Sequence, residues 1–227
     1  MRILIIDNNR DPDCWGAMDL RVFTLKKQGA TIDTRRGFHD DLPLCGPEYF
    51  DRTIVSGSAA SCLTLEPWSE HLDQWVRRTV DLGKPLLGIC YGHQVLCRSL
   101  GGLQTVRKSA IPQFGWTRIE RTTQTPLFEG LPQIFYSMST HYEEVSQLPH
   151  GMRVIARSQG CAIEACQVAE RPVYGVQFHP EKTADAAELI LKKAKKTGKP
   201  PQLLLEDTPR YYDPKVGEKI FENFLSD

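Results

Sequence analysis

The sequence has no apolar run approaching the ~20 residues of a membrane-spanning helix, so no bilayer partner is expected. It has no charge excess either: 28 lysines and arginines face 28 aspartates and glutamates. Nothing global therefore favours nucleic acid or an anionic membrane surface. The seven cysteines, at 14, 45, 62, 90, 97, 161 and 166, are odd in number and never spaced C-x-x-C. This argues against a disulfide framework or a zinc site and for a reducing cytoplasm. There is no internal repeat. The opening Met1-Arg-Ile-Leu-Ile-Ile-Asp7 runs into Asn8-Asn9 and not into a small-residue cleavage site. It reads as a first strand, not as a signal peptide.

What is present is an alternation of short apolar runs with helical periods. At 227 residues the chain can bury a full core, and one domain over 1–227 is the natural count. Strands are expected at Arg2–Ile6, Thr31–Arg35, Asp51–Val55 and Leu86–Ile89. Helices are expected at Met18–Gln28, Trp68–Leu82 and Gly92–Leu100. That order predicts an α/β fold with a mixed, mostly parallel central sheet and helices on both faces. From Gly101 to Ala169 the texture turns β-rich, with runs at Phe114–Glu120, Gln133–Met138, Gly151–Arg157 and Ala162–Val168. These are expected to extend the sheet as antiparallel strands. Helices follow at Asp185–Lys196 and Val216–Leu225, with a long loop at Leu203–Pro214 between them.

The stretch Lys84–Leu96 organises the rest. Cys90 stands between the apolar run Leu86, Leu87, Ile89 and the helix that starts at Gly92. Gly88 and Gly92 let the chain turn sharply there without a Cβ clash. This is the logic of a nucleophile elbow, with sulfur in place of oxygen. The helix N-terminus behind the sulfur favours its reactive thiolate form. A lone cysteine at a strand end is usually a small buried hydrophobe. A second stretch overturns that reading: Val173-Tyr-Gly-Val-Gln-Phe-His-Pro-Glu181 is another apolar strand, and it ends in His179 and Glu181. A thiol needs a base, and the base needs a group to orient it.

Together, Gly88-Ile-Cys-Tyr-Gly-His-Gln94 and Phe178-His-Pro-Glu181 resemble the G-x-C-x-G-x-Q and F-H-P-E motifs of the class I glutamine amidotransferases. The stretches Met138–Val145, Val154–Ser158 and Gly217–Leu225 look most like the glutaminase part of GMP synthetases. The resemblance implies a Cys-His-Glu triad of Cys90, His179 and Glu181, acting on the side-chain amide of L-glutamine through a γ-glutamyl thioester. It implies oxyanion donors from the backbone of Tyr91 and from the Ser56-Gly-Ser58 loop, where either Gly57 or Ser58 donates. Many GMP synthetases carry Ser-Gly-Gly-Pro there, and this chain has Ser58 and Ala59 instead. Gln94 matches the family's glutamine-binding Gln. His141, Tyr142 and Glu143 stand where the family's backbone holds the amino-acid end of the substrate, though Tyr142 and Glu143 depart from the family's side chains.

Those matches lead to a cytoplasmic glutaminase without cofactor or metal. Its ammonia would go to a synthase on another chain, since neither a P-loop nor a Ser-Gly-Gly-x-Asp-Ser motif occurs here. Two rivals remain: a γ-glutamyl hydrolase acting on isopeptides, and a binding module that has lost catalysis. His39, His71, His93 and His150 read as structural or surface residues, Cys97 as core, and Lys192–Lys199 as a solvated face. Relative to the GMP synthetase pattern, residues 183–214 form an insertion after the F-H-P-E motif, expected to act as a lid or a docking segment, with a passive surface excursion as the alternative.

Overall fold

Ile3 and Ile5 point to one side of the first strand, Leu4 and Ile6 to the other, and all four are fully buried. A strand apolar on both faces belongs inside a sheet that is covered on both sides. The structure, a computed structural model, describes residues 1–11, 16–196 and 208–226. Its strands are β1 (Arg2–Asp7), β2 (Thr31–Arg36), β3 (Arg52–Val55), β4 (Leu86–Ile89), β5 (Val106–Arg121), β6 (Ile134–Val145), β7 (Met152–Arg157), β8 (Ala165–Val168) and β9 (Val173–Val176). They form one sheet in the order β2-β1-β3-β4-β9-β8-β7-β5-β6. Pairing is parallel from β2 through β9 and antiparallel from there to β6. The chain thus has the expected mixed α/β architecture.

The helices are α1 (Ala17–Thr24), α2 (Pro67–Asp81), α3 (Tyr91–Gly101), α4 (Ala184–Lys196), α5 (Thr208–Tyr211) and α6 (Pro214–Leu225). One face of the sheet presents Ile3, Ile5, Ile54, Leu87, Ile89 and Val176 to α1 and α6, through Leu20, Ile220, Phe221 and Phe224. The opposite face presents Leu4, Ile6, Val55, Leu86 and Val173 to α2 and α3, through Leu72, Trp75, Val76, Val95 and Leu96. Each α2 apolar residue falls at helical spacing, and Pro67 at the first helical turn is pre-set for it.

Two strands are longer than periodicity suggests. β6 continues past Met138 to Val145 and carries Ser139–Glu144 within it. A run so rich in polar residues does not read as a strand, yet it pairs with β5, with Gln113 opposite His141. A shift of register between Lys108 and Gln113 hides the first half of β5 in the same way. In the other direction, α1 stops at Thr24, and Gly29 closes the turn with φ +70°.

The described part of the 183–214 insertion lies against the outer strands. Ala187 and Leu191 of α4 are buried with Trp116 and Met138. Tyr211 packs on Tyr136 with ring centroids 4.5 Å apart, and Tyr212 on Trp116 at 5.4 Å. The expected loop Leu203–Pro214 contains α5, and α6 begins at Pro214 because Asp213 caps it, accepting from the Lys215 N–H at 2.9 Å. Leu203–Leu205 lie outside the described residues, as do residues 197–199 at the end of the lysine run.

α6 also touches the segment that carries His179 and Glu181. A Cβ on Gly217 would stand 2.2 Å from the Pro180 carbonyl oxygen. Gly217→Ala gains roughly 1 kcal/mol of helix propensity. Overpacking against a backbone atom at this separation falls at the upper end of its usual cost, about 2–3 kcal/mol, and outweighs that gain. Urea unfolding should show a net loss of about 1–2 kcal/mol. A change within about 0.5 kcal/mol would mean that α6 slides aside freely and does not hold Pro180.

Candidate active site

Cys90 follows β4 and sits at the N-cap of α3 with φ 51° and ψ −101°. A residue with a Cβ rarely takes that conformation, which costs on the order of 1–3 kcal/mol. Its surroundings enforce it. The Cys90 N–H donates to the Val176 carbonyl at 2.8 Å, and its own carbonyl accepts from the Gln94 N–H at 3.1 Å. A Cβ on Gly92 would come 2.2 Å from the Val55 carbonyl oxygen, and one on Gly88 would come 2.4 Å from the Gly92 oxygen. Only glycine at both positions lets the strand, the turn and the helix pass this closely. The turn leaves the Tyr91 N–H in the first turn of α3, where amides have no intrahelical partner.

β9, beside β4, delivers the second half of the site. His179 follows it, and its backbone N–H donates to the Met138 carbonyl at 2.7 Å, tying the segment to β6. His179 Nδ1 and Glu181 Oε1 stand 2.7 Å apart, and both side chains are buried. Burial pushes the His179 pKa down, but the Glu181 carboxylate and Cys90 outweigh it and bring it up to about 10. Glu181 is held below its ordinary value; burial opposes this, and the charge of His179 prevails. Among the described residues, Nε2 of His179 has no hydrogen-bond partner. The ring edge and the Cys90 Cβ both lie against Gly57, where a Cβ would be 2.9 Å from His179 Cε1 and 3.6 Å from Cys90 Cβ.

A cavity of about 480 Å³ opens over these groups. Of the ten residues singled out in the sequence, nine line it: Cys90, His179, Glu181, Gly57, Ser58, Gln94, His141, Tyr142 and Glu143. Tyr91 is different. Its side chain is buried against Trp68, with rings 5.9 Å apart, so only its backbone can serve the site. No described residue of the 183–214 insertion lines the cavity, whose last member along the chain is Lys182. Lys182 is itself paired with Asp19 at 2.5 Å, at the cavity wall that α1 supplies.

The polar partners define what each candidate can do. The Gly57 carbonyl accepts from the Ser56 hydroxyl at 2.8 Å. In a trans peptide this turns the Ser58 N–H to the opposite side. The Ser58 hydroxyl is committed to the Asn8 carbonyl at 2.6 Å. Gln94 uses its amide nitrogen twice, on the Glu143 carbonyl at 2.7 Å and on Gln177 Oε1 at 3.1 Å. His141 is a poor rival base. Its Nδ1 is 3.1 Å from the Glu143 carbonyl and its Nε2 is 3.3 Å from Gln113, and burial pushes its pKa down to about 3. Tyr142 is half exposed and packs on Phe114 at 4.8 Å.

Two side-chain roles escaped the sequence reading. Gln177 donates to Cys90 Sγ at 3.5 Å and links it to Gln94. Its only signal is a polar residue within an apolar strand. The Glu143 side chain straps the loop after β3 to β6: it accepts from the Ser61 hydroxyl at 2.5 Å and from the Cys62 N–H at 2.7 Å.

The sequence model of the family described as "Glutamine amidotransferase class-I" matches residues 41–195. The chain belongs to this family. Among curated relatives, it is 41% identical over 97 residues to a glutamine-hydrolyzing GMP synthase subunit of Pyrococcus abyssi, a match that covers 43% of this chain and 50% of that protein. Against the subunit of the same name from Thermococcus kodakarensis the identity is 37% over 112 residues, covering 49% and 55%. A GMP synthase of Aeropyrum pernix is 41% identical over 56% of this chain but only 23% of its own length. The chain thus spans about half the length of these two synthase subunits and about a fifth of the longer synthases. In fold, a glutamine amidotransferase structure from Thermotoga maritima superposes with TM-score 0.80 over 99% of this chain and 96% of its own, at 20% identity. One from Methylobacillus flagellatus gives TM-score 0.80 over 99% and 93%, at 18% identity.

The His179–Glu181 pair makes a pH-dependent contribution with a defined window. His179 is raised from 6.5 to about 10, so its share is complete below pH 6.5 and fades as pH rises towards 10. Glu181 is lowered from 4.5, so its share is complete above pH 4.5 and is lost in more acid solution. The stability difference between the parent and Glu181→Gln should therefore be largest between these two values. Thermal denaturation across pH measures it, and a difference independent of pH would contradict the pairing.

Proposed function

We propose that the chain hydrolyses the side-chain amide of glutamine, with Cys90 as nucleophile, His179 as proton carrier and Glu181 as its orienter. The observation that carries this reading is the strained elbow of Cys90 beside a buried His179–Glu181 pair, in one cavity. The sulfur attacks the amide carbon of glutamine, and the carbonyl oxygen becomes an oxyanion. The proton that the Cys90–His179 pair shares stands on His179 Nε2 at that moment, as its raised pKa favours. Collapse of the tetrahedral centre breaks the C–N bond, and Nε2 gives that proton to the nitrogen, which leaves as ammonia. Cys90 is left as a γ-glutamyl thioester. Water then loses a proton to Nε2 and attacks the thioester; glutamate departs, and the sulfur and His179 return to their starting state.

The Tyr91 N–H and an amide of the Gly57–Ser58 segment would receive the oxyanion, since preorganised backbone donors contribute most where charge develops. Gln94 and the backbone of His141, Tyr142 and Glu143 would hold the amino-acid end of glutamine. In this reading residues 1–227 act as one glutaminase unit. Ammonia would pass to a synthase of the GMP synthetase kind on another chain, in keeping with the relatives that are separate synthase subunits. A reactive thiol of this kind belongs in a reducing compartment, which suggests the cytoplasm.

Cys90→Ala should abolish ammonia release while retaining the fold, and a glutamine-like electrophile should add one mass adduct, on the peptide that contains Cys90. An adduct on Cys62 or Cys97 instead would refute the assignment. Faster turnover of γ-glutamyl amines than of glutamine would point to the isopeptide hydrolase. Glu143→Ala should raise the Michaelis constant by about tenfold, the effect of losing a charged hydrogen bond worth ~1.5 kcal/mol. Unchanged kinetics would show that the Ser61–Cys62 loop needs no strap.

A further inference from the structure

A second cluster of reactive side chains lies behind the elbow, and the proposed hydrolysis uses none of it. His93 and Cys97 are four residues apart on α3 and so share one helix face. They meet Cys166 of β8. Cys97 Sγ is 3.9 Å from Cys166 Sγ, and His93 Nδ1 is 3.5 Å from Cys166 Sγ. One donor atom from each residue lies within 4.8 Å of the other two, and all three residues are 0% exposed. Gly175, paired with Cys166 across β8 and β9, makes the room: a Cβ there would come 2.3 Å from His93 Nδ1.

We propose that His93, Cys97 and Cys166 form a buried three-donor site for a thiophilic d¹⁰ cation, Cu(I) or Zn(II). Metal bonds of about 2.3 Å to sulfur and about 2.0–2.1 Å to nitrogen place neighbouring ligands roughly 3.5–4.0 Å apart around one ion. The Cys97–Cys166 and Cys166–His93 separations already have those values, and the Cys97 and His93 donors, within 4.8 Å of each other, need only a small approach. Two thiolates and an imidazole form a soft donor set that selects such ions. Each ligating thiol gives up its proton to solvent when the ion enters. The two candidate ions differ in what suits the site. Three donors with no solvent access suit Cu(I), because structural zinc sites use four protein ligands. Two thiolates with a neutral imidazole leave no net charge around Zn(II).

The surroundings fit a ligated histidine. A metal on Nδ1 leaves the ring proton on Nε2, and ligand histidines usually hand that proton to a carboxylate or carbonyl. Among the described residues His93 Nε2 is buried without a hydrogen-bond partner, and the buried Glu164 carboxylate is engaged by the Ser158 and Gln113 side chains. Glu164 stands two residues before Cys166, its carbonyl accepting from the Gln177 N–H at 2.7 Å, and its carboxylate interacts electrostatically with His93. The competing arrangement is a chain of thiol hydrogen bonds, S–H···S and S–H···N, at the same distances. It predicts no metal uptake.

The reduced full chain, native and refolded from denaturant, would be incubated anaerobically with Cu(I) or with Zn(II). It would then be passed through a desalting column with a weak chelator and assayed for bound metal. One ion per chain is expected in at least one arm, with uptake lost in Cys97→Ala and in Cys166→Ala but kept in Cys45→Ala. No retained ion in any arm, or retention undiminished in both cluster variants, would overturn the proposal. Should an alanine variant not fold, X-ray absorption of the loaded parent decides. Two sulfurs at about 2.3 Å and one nitrogen at about 2.0 Å are expected, and any other first shell overturns it.

Discussion

The tightest constraint in the molecule is the contact of α3 with the ends of β3 and β4. Gly92 lies against the Val55 carbonyl and Gly88 against the Gly92 carbonyl, at separations that exclude any Cβ. This approach drives Cys90 into positive φ and leaves the first amides of α3 without helical partners. The strain is sustained because Ile54 and Val55 of β3 and Leu86, Leu87 and Ile89 of β4 are fully buried, on both faces of the sheet, and cannot yield. Everything else in the site is built outward from that turn.

The second half of the site is held by separate ties. His179 is pinned to β6 through Met138, and Pro180 is backed by Gly217 of α6. The last helix therefore supports the segment that carries His179 and Glu181, although it lies about thirty-five residues further along the chain. Between the two halves runs a set of amide contacts: Cys90 to Gln177, Gln177 to Gln94, and Gln94 to the Glu143 carbonyl. Each link engages a polar group that would otherwise be buried unpaired, at a cost of about 1–3 kcal/mol. A polar network so closed fixes one arrangement of the cavity floor. Glu143 extends it to the loop after β3, so that a side chain departing from the family pattern takes a structural part of its own.

The described residues of the insertion do something simpler than its position suggests. Rooted two residues past Glu181, it runs away from the cavity and covers Trp116, Tyr136 and Met138 on the outer strands. Its tyrosines find partners in β5 and β6, so their apolar area is accounted for by packing.

Local chemistry was legible in the sequence wherever one residue type has one physical use. The glycines around Cys90, the doubly apolar strands β1 and β4, the helical face of α2 and the His179-Pro180-Glu181 ending all follow from rules that act over a few residues. They sufficed for the α/β class, for the candidate triad and for the family. What the sequence could not show depends on partners distant along the chain. Ser139–Glu144 became strand because β5 offers hydrogen bonds to it, against its own polar pattern. Gln177 and Glu143 acquired their partners only when β9, α3 and the loop after β3 met. His93, Cys97 and Cys166 have no sequence spacing that marks them as a set. Sequence separation carries no information about distance once a sheet brings its strands together, so only the tertiary structure could join them.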